Sequence, residues 1–268
     1  MASNSTGYTI VFATVVCVVC GIGVASANVA LKDLQDANKV LDQQKQVLLV
    51  AGLIQPGEQV TSEQVADLFT KNIRPEVIDL KTGQRAQSVK AAGFDQNRAS
   101  KEPATSRVAP DNAAKVMRLP NNALVYHVVK GDKTDTLIVP IQGYGLWSML
   151  YGYLAISSDA NTVKGITYYQ HLETPGLGGE VDNPNWKKRW VGRKIYDDKG
   201  QPAIKVIKGR AGDDPKKDPY QVDGLSGATI TSNGVSNTMK FWFGPDGFQP
   251  FLKRFKASPK PPPAEGSK

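Results

Sequence analysis

The sequence predicts an α+β protein, an antiparallel sheet with flanking helices, carried behind one N-terminal transmembrane helix. Three observations lead there. Residues 8–30 run for 23 positions without Lys, Arg, Asp or Glu, and about 20 apolar residues suffice to span a bilayer. Between Leu124 and Tyr168, β-rich runs are joined by short turns, the pattern of antiparallel pairing. After Thr231, the apolar positions Val235, Met239, Trp242 and Phe243 recur at helical spacing.

The apolar run at 8–30 has two readings. Ala25-Ser26-Ala27 is shaped like a signal-peptidase site. Against cleavage, no Lys or Arg precedes the run, and it passes into a helical stretch, Leu31 to Leu53, with no Pro or Gly until Gly52. An uncleaved anchor is therefore expected, with Gly21, Gly23, Ser26 and Ala27 as small residues where another helix can approach. The span holds no ionisable side chain other than Tyr8, Cys17 and Cys20. Ion pathways normally need intramembrane carboxylates, so this chain is not expected to pump ions alone. Flanking charges leave the orientation open, Lys32 being offset by Asp33 and Asp36.

Beyond the anchor, Pro56 and Gly57 break the helix, and Thr61 with Gln64 makes a capping box for a short helix to about Asn72. Residues 75–80 read as a strand and 86–115 as surface helix and loop. A hairpin follows, 124–129 and 136–141 around Lys130-Gly131-Asp132, with further strands at 149–156 and 161–168. Trp147, after Gly143 and Gly145, reads as a core residue on spacing alone. Trp186 and Trp190 suggest a short helix, and Phe248, Phe251 and Phe255 a last one. The expected divisions are a polar segment 1–7, the membrane helix 8–30, one globular domain 31–257 and a proline-rich disordered tail 258–268.

Composition narrows the function. The chain has 268 residues, 40% hydrophobic and 22% charged, which excludes wholesale disorder. Its net charge of +8 is concentrated in residues 183–217, where eleven Lys and Arg face four Asp. No nucleic-acid-binding signature accompanies that segment, so a solvated basic surface is the simplest reading. Cys17 and Cys20 lie inside the apolar run, leaving the globular part no disulfide or zinc site built on cysteine. His127 and His171 stand in no evident triad and read as structural.

Two stretches carry chemistry. In 173–180, Glu-Thr-Pro-Gly-Leu-Gly-Gly-Glu, three glycines in four positions permit close backbone approach to a ligand, or simply a long turn. The spacing is not that of a Rossmann nucleotide loop. In 223–232, Asp-Gly-Leu-Ser-Gly-Ala-Thr-Ile-Thr-Ser, a turn and a hydroxyl cluster precede the predicted helix. A helix N-terminus favours phosphate; equally, the hydroxyls could be ordinary N-caps.

The second stretch resembles the flavinylation motif Asp-x-x-(Ser/Thr)-Gly-Ala-Thr, which Asp223, Ser226, Gly227, Ala228 and Thr229 match without departure. The order of anchor, Gly145-Leu146-Trp147-Ser148, the 173–180 stretch and this motif is similar to the NqrC family, one component of the bacterial Na⁺-translocating NADH:quinone reductases (the Nqr complex). The RnfG component of the Rnf electron-transport complexes is a sister family. Gly179-Glu180 and Asn233-Gly234-Val235 fit the Nqr member better.

The resemblance implies FMN attached through its phosphate to Thr229, in a domain of the FMN-binding type. Asp223, Ser226, Gly227 and Ala228 would belong to the attachment site. Gly145, Leu146, Trp147, Glu173, Thr174, Gly176, Leu177 and Gly178 would flank the cofactor. It further implies a single-pass inner-membrane protein with a periplasmic domain, modified there by a flavin transferase acting on FAD. Its partners would be the other members of a six-subunit complex passing electrons from NADH to ubiquinone while exporting Na⁺. A stand-alone flavoprotein reductase, or a tethered domain without flavin, are the competing readings.

Overall fold

A computed structural model describes residues 5–263. The first helix, α1 (Thr6–Val50), is the one element among them long and apolar enough to cross a membrane by length and composition. The chain divides into two compact units, one ending at Gln44 and one beginning at Lys45. Up to position 40 every described α1 residue is exposed, whereas Val47, Leu48 and Val50 are buried in the second unit.

The second unit is built on a five-stranded sheet in the order β1-β4-β5-β6-β7, antiparallel throughout. Its strands are β1 (Ile73–Asp79), β4 (Asn122–Lys130), β5 (Lys133–Tyr144), β6 (Met149–Ser157) and β7 (Val163–Gln170). The expected hairpin is β4–β5, turned at Gly131, whose φ of 60° glycine adopts without strain.

Both faces of the sheet are covered. On β6, Leu150, Leu154 and Ile156 belong to the main core, while Tyr153 and Ala155 point the other way and are equally buried. Beneath that second face lie the end of α1 and α2 (Ser62–Asn72), where Val50 O is 3.1 Å from a Cβ built on Gly165 and Phe69 meets Tyr126 edge-on at 6.0 Å. The Thr61–Gln64 capping box is present as the sequence indicated.

The main face carries α5 (Thr229–Trp242) and α6 (Gln249–Ala257). Val235, Met239 and Trp242 are fully buried, and Trp242 Nε1 donates to Gln142 O at 2.6 Å. Gly234 lets α5 approach closely, since a Cβ there would fall on Tyr144 O of β5. The start of α5 is thereby fixed beside the end of β5.

Several parts differ from the sequence reading. The segment 86–115 is not wholly surface. It holds α3 (Gln96–Lys101) and β2 (Ser106–Val108), the latter paired with β3 (Arg118–Pro120), and Ala114 is completely buried. Strands of three residues carry too little alternation to be read. A two-residue parallel pair, β8 (Lys205–Val206) and β9 (Gln221–Val222), also escapes prediction. The basic segment contains the expected short helix, α4 (Pro184–Lys188), but is not merely solvated. Arg193 is 1% exposed and donates to the carbonyls of Arg189, Gly212 and Asp218. In the tail, 258–263 has no regular element although Pro262 is buried; the remainder of the tail, 264–268, and residues 1–4 of the polar segment lie outside the described residues.

Candidate functional site

The two chemical stretches meet at one carboxylate. Glu173 is 6% exposed. Its Oε1 accepts from the backbone N–H groups of Leu146 and Trp147, both at 3.0 Å, and its Oε2 accepts from the Thr231 hydroxyl at 2.6 Å. One side chain thus ties the corner after β5, the glycine-rich turn and the first turn of α5. Space around it is kept by glycine: a Cβ on Gly145 would lie 2.5 Å from Glu173 Oε1, and one on Gly178 would strike Oε2 and come within 2.7 Å of Thr231 Oγ1. Gly178 does not have a positive φ; close packing against Glu173 and Thr231 alone requires glycine there. Gly176 is the left-handed residue of this turn, at φ 75° with open space beside it.

His171 supports the same turn. Its Nδ1 accepts from Glu173 N at 3.2 Å, which leaves Nε2–H to donate to Asp182 Oδ2 at 2.7 Å. Thr174 is exposed, and its carbonyl accepts from Leu177 N and Gly179 N at the start of a 3-10 turn (Gly178–Asp182).

The motif itself sorts its hydroxyls by burial. Ser226 and Thr229 are exposed; Thr231 and Ser232 are buried and already bonded, Thr231 to Glu173 and Ser232 Oγ to Leu225 N at 3.1 Å. Neither exposed hydroxyl caps α5. Its N-cap is Ala228, and no side chain accepts from the first turn, so the capped-helix reading does not hold. Gly227 (φ 69°) turns the chain into the helix, and a Cβ there would lie 2.9 Å from Leu177 Cδ2. The motif and the glycine-rich turn therefore touch.

Asp223 faces a different neighbour. Its Oδ1 accepts from Ala211 N at 2.9 Å and from Arg189 Nη2 at 3.3 Å; Arg189 Nε lies 3.1 Å from Oδ2 but does not point at it. Trp186 Nε1 donates to Asp223 O at 2.8 Å. The Arg189 guanidinium is held above its ordinary pKa by its hydrogen bond to Asp213, then by Asp223. The first residue of the motif is thus an anchor for the basic segment, a link the sequence did not reveal because its partners lie far away along the chain.

Between these parts opens a cleft of about 480 Å³, lined on one side by Asp223, Ser226, Gly227 and Thr229 and on the other by residues 206–210. Around the site, Leu146 (40%), Trp147 (63%), Leu177 (43%) and Ile230 (58%) leave large apolar side chains exposed. Trp147 is accordingly not a core residue. The corner at Gly145, pinned by Glu173, turns the chain outward there.

These features meet the demands of a phosphorylated, planar cofactor, and comparison with known proteins names its class. The FMN-binding domain family matches residues 145–244, a span that begins at the Glu173-bound corner and ends just after α5. The chain is 46% identical over 255 residues to the NqrC component of the Na⁺-translocating NADH-quinone reductase of Pseudomonas aeruginosa, covering 94% of this chain and 97% of that protein. It is 47% identical over 260 residues to the same component from Vibrio anguillarum, covering 96% and 98%. The crystal structure of Shewanella oneidensis NqrC superposes with a TM-score of 0.75 at 38% identity, over 82% of this chain and all of that one. The fold is that of an FMN-binding domain. The chain belongs to the NqrC family of Na⁺-translocating NADH-quinone reductase subunits.

Proposed function

We propose that this chain is an electron-carrying subunit of a Na⁺-translocating NADH:ubiquinone reductase and bears FMN as a phosphoester of Thr229. The observation that carries the reading is the division of hydroxyls at the start of α5. Thr229 is exposed in a cleft, at a helix N-terminus free of side-chain caps, while Thr231 and Ser232 are buried and engaged. The uncapped N–H groups of the first turn favour an anion beside Thr229.

The residues present fit the cofactor. Gly227 keeps its corner free of a Cβ, and Leu146, Trp147, Leu177 and Ile230 offer apolar surface suited to a flat ring. When bound, FMN supplies one-electron redox chemistry. The chain's own residues position and shelter it: Glu173 fixes the Leu146–Trp147 corner, and Asp223 fixes the loop across the cleft. No acid–base pair is required for such a relay, in keeping with His127 bonded to Glu76 and Thr134 and His171 bonded within its turn.

In this reading α1 anchors the chain once in the bacterial inner membrane, the globular unit is periplasmic, a flavin transferase modifies Thr229, and the other members of the complex are its partners. Coexpression with a flavin transferase tests the attachment. In-gel flavin fluorescence after denaturation, with one FMN added to the intact mass, is expected; an unmodified mass overturns it. Copurification of sibling subunits from membranes tests the assignment to the complex, and a chain that purifies alone from gently solubilised membranes counts against it.

A further inference from the structure

The far wall of the Thr229 cleft carries two cations that the motif does not include. Lys208 and Arg210 both line the cleft and are exposed. Neither has a hydrogen bond or ion pair among the described residues. The one carboxylate in the lining, Asp223, is occupied by Ala211 N and Arg189 and does not neutralise them.

Their position is built in. Gly224 N donates to Gly209 O at 2.8 Å, and a Cβ on Gly224 would collide with Ile207 O and lie 3.2 Å from Gly209 N. Gly209 itself has φ 85°. With Ala211 N on Asp223, the loop 207–211 is held by its backbone against the first two residues of the motif. Asp-Gly at 223–224 therefore does more than form a turn: it delivers Lys208 and Arg210 to the cleft that holds Thr229.

We propose that Lys208 and Arg210 form the anion-binding wall of this cleft and take the non-bridging oxygens of the phosphate esterified to Thr229; this rests on Thr229 being the attachment site. In the transfer, the Thr229 hydroxyl and flavin adenine dinucleotide give the Thr229 phosphodiester and AMP. The bond from Oγ1 to the FMN phosphorus forms, the bond from that phosphorus to the adenylate oxygen breaks, and the hydroxyl proton is released. Charge sits on the non-bridging oxygens before and after, so two uncommitted cations in the lining favour both the approach of the donor and the product.

The test uses the full-length protein, purified flavin transferase and FAD, with covalent flavin followed by intact mass. For K208A/R210A the initial rate of modification is expected to fall roughly tenfold at low salt, with a flatter salt dependence, as expected when charge-assisted contacts are removed. K216A/K217A, equally cationic but outside the cleft lining, serves as the control and should stay near the wild-type rate. In the modified proteins, the ³¹P resonance of the phosphodiester should move in K208A/R210A and not in the control. Wild-type rate in K208A/R210A, or slowing without a ³¹P change, overturns the inference and leaves Thr229 attachment standing. An unmodified wild-type chain overturns the attachment itself and this inference with it. Melting curves of the apo proteins, expected to coincide, exclude misfolding as the cause.

Discussion

Glu173 and Thr231 are joined by a 2.6 Å hydrogen bond from the threonine hydroxyl to Oε2, while Oε1 holds two backbone N–H groups at the Leu146–Trp147 corner. A single buried carboxylate therefore sets the distance between the glycine-rich turn, that corner and the helix that starts at Thr229. Glu173→Gln preserves the shape but replaces one acceptor oxygen with an NH₂ group. With Oε1 kept on the two N–H groups, the NH₂ can only donate to Thr231 Oγ1, and the hydroxyl proton loses its acceptor, at about 1–3 kcal/mol for a buried unsatisfied group. A lower melting temperature and a shifted flavin absorption band are expected in the same sample. Wild-type values for both would show that the carboxylate does not organise the site.

Thr229→Val removes the hydroxyl from an exposed position. Covalent flavin should disappear from the intact mass, while stability changes by no more than about 0.5 kcal/mol, as for other surface substitutions. Thr231 and Ser232 should not substitute, because both are buried and bonded. A normal flavin load on this variant would place the bond on another hydroxyl.

Asp223→Ala removes the acceptor for Ala211 N and the ion pair with Arg189. The pair is partly solvated, so the loss should be about 1–2 kcal/mol, mostly from the backbone N–H left unpaired. Hydrogen exchange at 207–211 should accelerate, and flavinylation should slow. Unchanged exchange with slow flavinylation would instead make Asp223 a direct contact of the transferase.

Much of the fold is legible in the sequence, for definite reasons. Lys130-Gly131-Asp132 marks the β4–β5 hairpin, the Thr61–Gln64 box marks α2, and the spacing from Val235 to Trp242 marks α5. What cannot be read depends on contacts between distant segments. Nothing near Glu173 signals that its partners are Leu146, Trp147 and Thr231, and nothing near Lys208 signals that Gly224 holds its loop to the motif. Trp147 reads as core, wrongly, because a large aromatic after two glycines looks the same whether the corner turns it inward or outward. Arg193 reads as solvated because a buried guanidinium satisfied by three carbonyls leaves no local pattern.

Acid sensitivity should trace in part to Asp135. Its hydrogen bond from Lys164 Nζ, 2.7 Å from Oδ2, and a further one from Thr136 outweigh burial and hold its pKa below the usual carboxylate range. A depressed folded pKa contributes stability above the unfolded value, about 3.9, and that contribution is lost as pH falls through the folded value. Asp135→Asn should lower stability at pH 6 by no more than about 1 kcal/mol, because the pair is partly exposed. The deficit should shrink as pH falls below about 4. Chemical denaturation at pH 6 and pH 3 measures it; a constant deficit would remove Asp135 from the acid response.

The glycine-rich turn offers a paired test, because Gly176 and Gly178 are glycine for different reasons. Gly176 has φ 75° and open space, so Gly176→Val strains the backbone by about 1–3 kcal/mol and touches nothing else. Gly178 has an unstrained backbone, but its Cβ would occupy the space between Glu173 Oε2 and Thr231 Oγ1. Gly178→Val therefore cannot be accommodated without parting that hydrogen bond. Both variants should melt earlier than wild type, and both should keep flavin at Thr229. Only Gly178→Val should shift the absorption and reduction potential of the flavin, since only it disturbs the carboxylate that sets the corner. Potentiometric titration with melting curves on the same preparations distinguishes the two. A destabilised Gly178→Val protein with an unaltered potential would reduce the turn to a purely structural element.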